Sequence, residues 1–95
     1  MNLDQLRTFK PQILAIAAEH GVGNIRVFGS VARGEADEAS DVDFLVTVER
    51  PSVGWKFYSI EPALGELLGC EVDVITDKSI HPLMKDRILA EATPL

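Results

Sequence analysis

Segments with strand periodicity alternate with segments of helical periodicity along this chain, and no other feature of the sequence limits the fold as much. Short runs rich in branched apolar residues predict strands at 24–28, 41–48 and 70–76. Around them, apolar residues recur every three or four positions, which predicts amphipathic helices. The order of helix, strand, strand, helix, strand and helix predicts an α/β or α+β fold, with short strands in one sheet covered by helices.

Proline positions leave the shape of two helices open. The first helical segment begins after Asn2, a possible N-cap, and ends near Gly21. Pro11 lies inside it and either kinks this segment or divides it into two helices. A second helical segment starts at residue 52 or 53 and contains Pro62, which indicates a bend or a late start.

The closing helix is predicted to begin at Pro82. It has an apolar stripe that we expect to pack in the core, formed by Leu83, Met84, Ile88, Leu89 and Ala92.

Length, charge and cysteine content exclude several classes of function. The 95 residues suffice for one domain over 1–95. A formal net charge of −6 is unfavourable for direct binding to nucleic acid. A single cysteine, Cys70, and two histidines cannot form a Cys/His zinc cluster, so carboxylates must hold any metal. No apolar run approaches the roughly 20 residues of a membrane span, and the first residues lack an export signal, so we expect a cytoplasmic protein.

A Gly-Ser pair stands where the first predicted strand gives way to a short helix that ends at Gly34. Backbone N–H groups at such a helix start lack intrahelical partners and attract phosphate. Gly29 lets a ligand approach the backbone, and the Ser30 hydroxyl can donate one more hydrogen bond. The pair alone also fits an ordinary tight turn with a serine N-cap, so the phosphate interpretation needs support from the rest of the chain.

Three aspartates supply that support. Asp41 and Asp43 are two positions apart in a predicted strand, so their carboxylates project from one surface. Asp73 lies between two valines whose side chains point the other way. If its strand pairs beside the second strand, the three carboxylates converge near the Gly-Ser turn and can hold two Mg²⁺ ions about 3.5–4 Å apart. A solvated acidic strand end is the alternative, but the combination fits nucleotidyl transfer.

The joint motif of Gly29-Ser30, ten intervening residues and Asp41-x-Asp43 resembles the signature of the DNA polymerase β-type nucleotidyltransferase superfamily. With Ala32-Arg33-Gly34 inside this motif, the chain is most similar to the minimal nucleotidyltransferases, the MNT antitoxins that pair with HEPN-domain toxins. The resemblance implies a small polymerase β-type fold with a short mixed sheet of three or four strands covered by helices.

The resemblance also implies a role for each residue of the motif. Gly29 and Ser30 would bind the β and γ phosphates of the nucleotide. Asp41 and Asp43 would ligate both metal ions. Asp73 would ligate the catalytic ion and help to take the proton of the acceptor.

The activity implied by the resemblance is transfer of AMP from ATP, with Mg²⁺, to a tyrosine hydroxyl of a partner HEPN toxin, whose ribonuclease activity is thereby blocked. The partners would form a hetero-oligomer. Arg33 is either a phosphate ligand or an ion-pair partner of the acidic loop, and the sequence leaves both open. Trp55 or Tyr58 is a candidate docking residue, because three aromatics within residues 55–58 cannot all face one core.

Two other functions remain possible at this point. A binding antitoxin with a dormant nucleotide site would neutralise its partner by complex formation alone. A nucleotidyltransferase of the aminoglycoside-modifying kind would act on a small molecule, but 95 residues leave no room for an added acceptor-binding domain.

Overall fold

The computed structural model describes residues 1–37, 39–50 and 57–95. Along these residues the chain forms, in order, α1 Leu3–Arg7, α2 Lys10–Glu19, β1 Val22–Phe28, α3 Gly29–Arg33, β2 Val42–Val48, α4 Ile60–Leu68, β3 Val72–Thr76, α5 Lys85–Glu91 and β4 Thr93–Pro94. In this described part, no helix has the length and apolar character needed to cross a bilayer.

The four strands form one mixed sheet in the order β3-β2-β1-β4. β2 pairs antiparallel with β1 and parallel with β3. It is the interior strand that its composition predicts, and Phe44, Leu45 and Val46 on it are almost fully buried. The two residues of β4 pair with β1, which the sequence pattern did not indicate. The predicted α/β fold with a short mixed sheet is confirmed.

Pro11 divides the amino-terminal helical segment rather than kinking it. α1 ends at Arg7 and α2 begins at Lys10, so Pro11 lies in a first turn, where its missing N–H costs no helical hydrogen bond. Asn2 caps α1 as expected. Its Oδ1 accepts from the Gln5 N–H at 2.8 Å, and Gln5 Oε1 accepts from the Asn2 N–H at 2.9 Å.

Helix α4 starts late, which settles the alternative left open by Pro62. The predicted start at residues 52–53 lies outside the described residues. α4 begins at Ile60, so that Pro62 falls in its first turn, and Gly69 ends it in the left-handed conformation. β3 then begins at Val72, two residues later than the sequence predicts.

The core lies where α2 and α4 contact each other and pack on β1 and β3. Its largest fully buried side chains come from α1 to α4 and the central strands, and include Leu6, Ile13, Phe44 and Ile60. The packing of α2 and α4 thereby fixes the position of the sheet, at whose strand ends the polar residues described below are found.

The closing helix departs from the prediction. α5 begins at Lys85 rather than at Pro82, and Ile88 is its buried apolar residue. The prediction of core packing is wrong for the other large apolar residues of the stripe, because Leu83 and Met84 precede the shortened α5 and Leu89 on the helix is exposed. These exposed residues are Leu83 at 89%, Met84 at 47% and Leu89 at 43%.

Candidate active site

The Gly29-Ser30 pair lies at the predicted junction of strand and helix. β1 ends at Phe28, α3 begins at Gly29, and Gly34 ends α3 in the left-handed conformation. Gly29 itself has a φ of +73°, a region that other residues enter only with strain. Because Phe28 pairs with Asp43 on β2, the turn begins directly beside the first predicted metal-ligating strand.

Asp43 and Asp73 are neighbours across β2 and β3. The parallel register places Asp43 opposite Asp73 and Val42 opposite Val72, on strands that are about 4.8 Å apart. Since both valines are buried, the alternation of side chains puts the two carboxylates on the other face of the sheet. Asp41 immediately precedes β2 and is exposed. The predicted pairing of the third strand beside the second is confirmed.

The glycine turn lies against the carboxylate of Asp43. A β-carbon added to Gly29 would overlap Oδ2 of Asp43. The sequence suggests that a glycine here admits a ligand, and the structure adds that it also admits this aspartate. The proposed phosphate-binding turn and the carboxylate cluster are therefore in direct contact.

Partial burial and like charges raise the pKa of Asp43 to about 6. Burial is the largest cause, followed by the charges of Asp73 and Asp41, while the charge of Arg33 acts in the opposite direction. Among the residues that the structure describes, no three acidic, histidine or cysteine side chains are already arranged to hold a metal ion. The strand register thus places Asp43 and Asp73 side by side on one surface of the sheet.

Asp43→Asn is expected to stabilise the metal-free fold at neutral pH. The pKa of this group rises from 3.8 to about 6 on folding. The folded protein therefore binds more protons than the unfolded chain in this window, and the stability of the wild type falls as the pH rises through it. The advantage of the variant should be near zero below about pH 4 and reach about 2 kcal/mol above about pH 7, after allowance for solvent screening. Chemical denaturation in EDTA at several pH values measures it, and a pH-independent difference would contradict the assignment.

Arg33 forms an ion pair with the acidic loop, one of the two roles that the sequence left open, and it has a second carboxylate partner. Its Nε donates to Glu35 of the acidic loop at 2.9 Å, and its Nη1 donates to Glu91 at 3.0 Å. The hydrogen bonds to Glu35 and Glu91 raise the pKa of the Arg33 guanidinium. Arg33 is therefore held next to the turn, at the end of α3.

Glu91 is a site residue that sequence reasoning missed. It ends α5, and its Oε2 accepts a hydrogen bond from the backbone N–H of Gly29 at 3.3 Å. Desolvation raises the pKa of Glu91, but hydrogen bonds from Arg87, Arg33 and Gly29 outweigh this effect and keep the pKa below its usual value. Nothing in the local pattern around Glu91 signals a contact with a residue 62 positions away.

An open cleft with a volume of about 470 Å³ lies beside the aspartates. Asp43, Asp73 and Glu61 supply acidic groups to its wall, and Glu61 accepts a hydrogen bond from the backbone N–H of Val74 at 3.3 Å. The lining also has an apolar part, which includes Ile75, Ile80, Met84 and Ile88. Such a cleft suits a ligand that has both a polar and an apolar part.

Tyr58 is the exposed aromatic that the sequence predicts near the start of the second helix. Its side chain is 84% exposed and borders a second cleft of about 410 Å³, which also includes Glu61 and Asp73. Phe57 packs partly against the core. Trp55, the other docking candidate, lies outside the described residues.

Sequence comparisons identify the family of this chain. The profile of the nucleotidyltransferase domain matches residues 10–95. A relative from Methanocaldococcus jannaschii, named as a candidate protein adenylyltransferase, is 45% identical over 92 residues, which are 97% of this chain and 96% of the relative. The protein adenylyltransferase MntA of Thermococcus cleftensis is 44% identical over 71 residues, which are 75% of this chain and 72% of MntA.

Two solved structures share the fold. One, described as a candidate minimal nucleotidyltransferase, matches with a TM-score of 0.84 at 41% identity and covers 100% of this chain and 97% of its own. Another, described as a toxin-antitoxin with AMP-PNP, has a TM-score of 0.71 at 18% identity, covers 90% of this chain and 70% of its own, and supports the fold alone. The profile match and the identity over nearly the whole length confirm the predicted family, and the chain belongs to the nucleotidyltransferases.

Proposed function

We propose that this chain transfers AMP from Mg-ATP to a tyrosine hydroxyl of a partner HEPN toxin and thereby neutralises the toxin. The observation that carries the proposal is the register of Asp43 and Asp73 on parallel strands, directly beside the turn at Gly29. The names of the relatives, which describe transfer of an adenylyl group to protein, support a protein as the acceptor.

The turn and the first helical residues bind the triphosphate in this proposal. Gly29 and Ser30 take the β and γ phosphates, with backbone N–H groups at the start of α3 and the Ser30 hydroxyl as donors. Arg33 lies one turn further along α3 and reaches a phosphate oxygen when its ion pairs open. Positive charge and hydrogen-bond donors then lie on one side of the nucleotide.

Asp41, Asp43 and Asp73 fit the chemistry of Mg²⁺, which prefers hard oxygen ligands. The raised pKa of Asp43 reflects a local excess of negative charge that a divalent cation would relieve. In the proposal these three carboxylates hold two Mg²⁺ ions, which when bound neutralise phosphate charge and favour ionisation of the acceptor hydroxyl.

The reaction that the site performs is a displacement at the α phosphorus of ATP. The acceptor oxygen forms a bond to this phosphorus, and the bond to the oxygen that bridges the α and β phosphates breaks, so pyrophosphate leaves. The acceptor hydroxyl loses its proton, and we assign the role of proton acceptor to Asp73, whose exposed carboxylate lines the cleft. Gly29 and Ser30 hold the leaving phosphates while this happens.

The partner forms a hetero-oligomer with this chain and brings its tyrosine to the cleft beside Asp73. The apolar lining near Met84 can receive the ring of a tyrosine, and the carboxylates of the same cleft can approach its hydroxyl. Since this chain carries a net charge of −6, we propose that it binds neither nucleic acid nor a membrane directly.

Incubation of the purified chain with Mg²⁺, ATP labelled at the α phosphate and a candidate HEPN toxin tests the proposal. We expect label on the toxin and loss of its ribonuclease activity, both abolished by EDTA and by replacing the acceptor tyrosine with phenylalanine. A toxin that is neutralised without label or a gain in mass would instead support a binding antitoxin. Label transferred to an aminoglycoside in the absence of any protein partner would support the small-molecule alternative.

A further inference from the structure

The carboxylate of Glu91 occupies the donors that the proposed function reserves for phosphate. Its Oε2 accepts from the Gly29 N–H at 3.3 Å. Its two oxygens lie 3.0 and 3.2 Å from Nη1 of Arg33, and Oε1 also accepts from Nε of Arg87 at 3.3 Å. One anionic group from α5 thus joins the turn to the arginine of α3.

Charge at this position is already balanced by the protein. Arg33 pairs with Glu35 and Glu91, and Glu91 pairs in addition with Arg87. Two guanidinium groups therefore face two carboxylates, which leaves little net positive charge for an incoming triphosphate. A phosphate that approaches Gly29 while Glu91 stays in place meets a carboxylate at hydrogen-bond distance from the same amide.

Carboxylate and phosphate oxygens compete for the same donors. A backbone N–H donates one strong hydrogen bond, and a guanidinium fork binds either kind of anion with similar geometry. We propose that Glu91 is a stand-in for a phosphate oxygen, that the triphosphate displaces it on binding, and that this competition sets the affinity for the nucleotide. The inference rests on the proposed role of Gly29 and Arg33 in nucleotide binding.

The surroundings of Glu91 allow the side chain to move while the backbone stays fixed. The backbone just after it is held by β4, whose Thr93 pairs with Val27 and donates its hydroxyl to the Glu91 carbonyl at 3.1 Å. Arg87 lies one turn earlier on α5, and its side chain is 68% exposed. A displaced carboxylate can therefore keep Arg87 as its partner and turn outward without disturbing the sheet.

Glu91→Gln tests the proposal because it removes the charge and keeps the shape. Titration calorimetry with Mg-ATP should give a dissociation constant about fivefold lower than that of the wild type, since the neutral amide competes less strongly with phosphate for the Gly29 N–H and the Arg33 guanidinium. Asp86→Asn is the matched control. It removes one negative charge from the same helix, and among the described residues Asp86 forms no ion pair with Arg33, so we expect unchanged affinity.

The direction of the change separates competition from a structural role. A destabilised or misplaced turn binds ATP more weakly, so weaker or unchanged binding by Glu91→Gln would overturn the inference. If both variants gained affinity equally, a general charge effect would replace it. Absence of Mg-ATP binding by the wild type and by both variants would overturn the inference together with the proposed function, whereas tighter binding by Glu91→Gln without AMP transfer to protein would contradict the proposed function alone.

Discussion

Asp43→Asn is expected to reduce AMP transfer by about three orders of magnitude or more. The amide is a poor ligand for Mg²⁺ and removes the charge that would hold it next to the triphosphate. A thousandfold loss corresponds to about 4 kcal/mol in the barrier, within the range of a single electrostatic contribution to catalysis. The initial rate of label transfer to the partner toxin measures the effect.

Stability separates this loss from unfolding. The raised pKa of Asp43 means that its charge disfavours the metal-free fold, so the variant should be more stable than the wild type at neutral pH while its activity is lost. Glu66→Gln, an exposed charge change on α4, serves as the matched control and should keep full activity. Retention of more than a tenth of the wild-type rate by Asp43→Asn would refute the metal assignment.

Asp73→Asn is expected to lower the rate of transfer much more than the affinity for Mg-ATP. Asp73 lies beyond Asp43, on the edge strand of the sheet, and is exposed to the cleft. We expect an equally large fall in kcat, because the variant cannot take the acceptor proton, and a dissociation constant for Mg-ATP within a few-fold of the wild type. Parallel losses of binding and rate would place Asp73 with the phosphate contacts instead.

Local periodicity was sufficient to predict the elements that hold these aspartates. β2 and β3 carry alternating branched residues, so the face on which Asp43 and Asp73 lie follows from the burial of their neighbours. That the two strands are adjacent and parallel, with Asp43 opposite Asp73, does not follow from periodicity. It depends on the connection through α4, which brings β3 alongside β2 in the same direction. The resemblance to nucleotidyltransferases, not periodicity, indicated this pairing.

The same patterns did not predict the structure of the carboxyl-terminal segment. An apolar stripe of helical spacing predicts that a helix packs against another surface, but it does not identify that surface. Leu83, which belongs to the stripe, is exposed on the segment before α5. β4 has two residues, too few for any alternation. Glu91 reads as an ordinary charged residue near a helix end, and its contact with Gly29 depends on the docking of α5 and β4 against β1.

Gly29→Ala is expected to destabilise the fold and to abolish transfer for two separable reasons. The φ of +73° costs a residue with a side chain about 1 kcal/mol. The added β-carbon would also overlap Oδ2 of Asp43 and displace either the carboxylate or the turn. Because a tightly constrained overlap costs a further 1–3 kcal/mol, we expect a total loss of stability of about 3 kcal/mol.

Gly34→Ala separates strain from overlap. Gly34 has nearly the same φ, +75°, and an added β-carbon there meets no atom of the described residues within 4 Å. This control should lose about 1 kcal/mol of stability and keep most of its activity. Denaturation and label transfer, measured on both variants, then isolate the contribution of the contact with Asp43. Equal effects of the two substitutions would show that backbone strain alone requires a glycine at position 29, and that the turn and the carboxylate are not coupled.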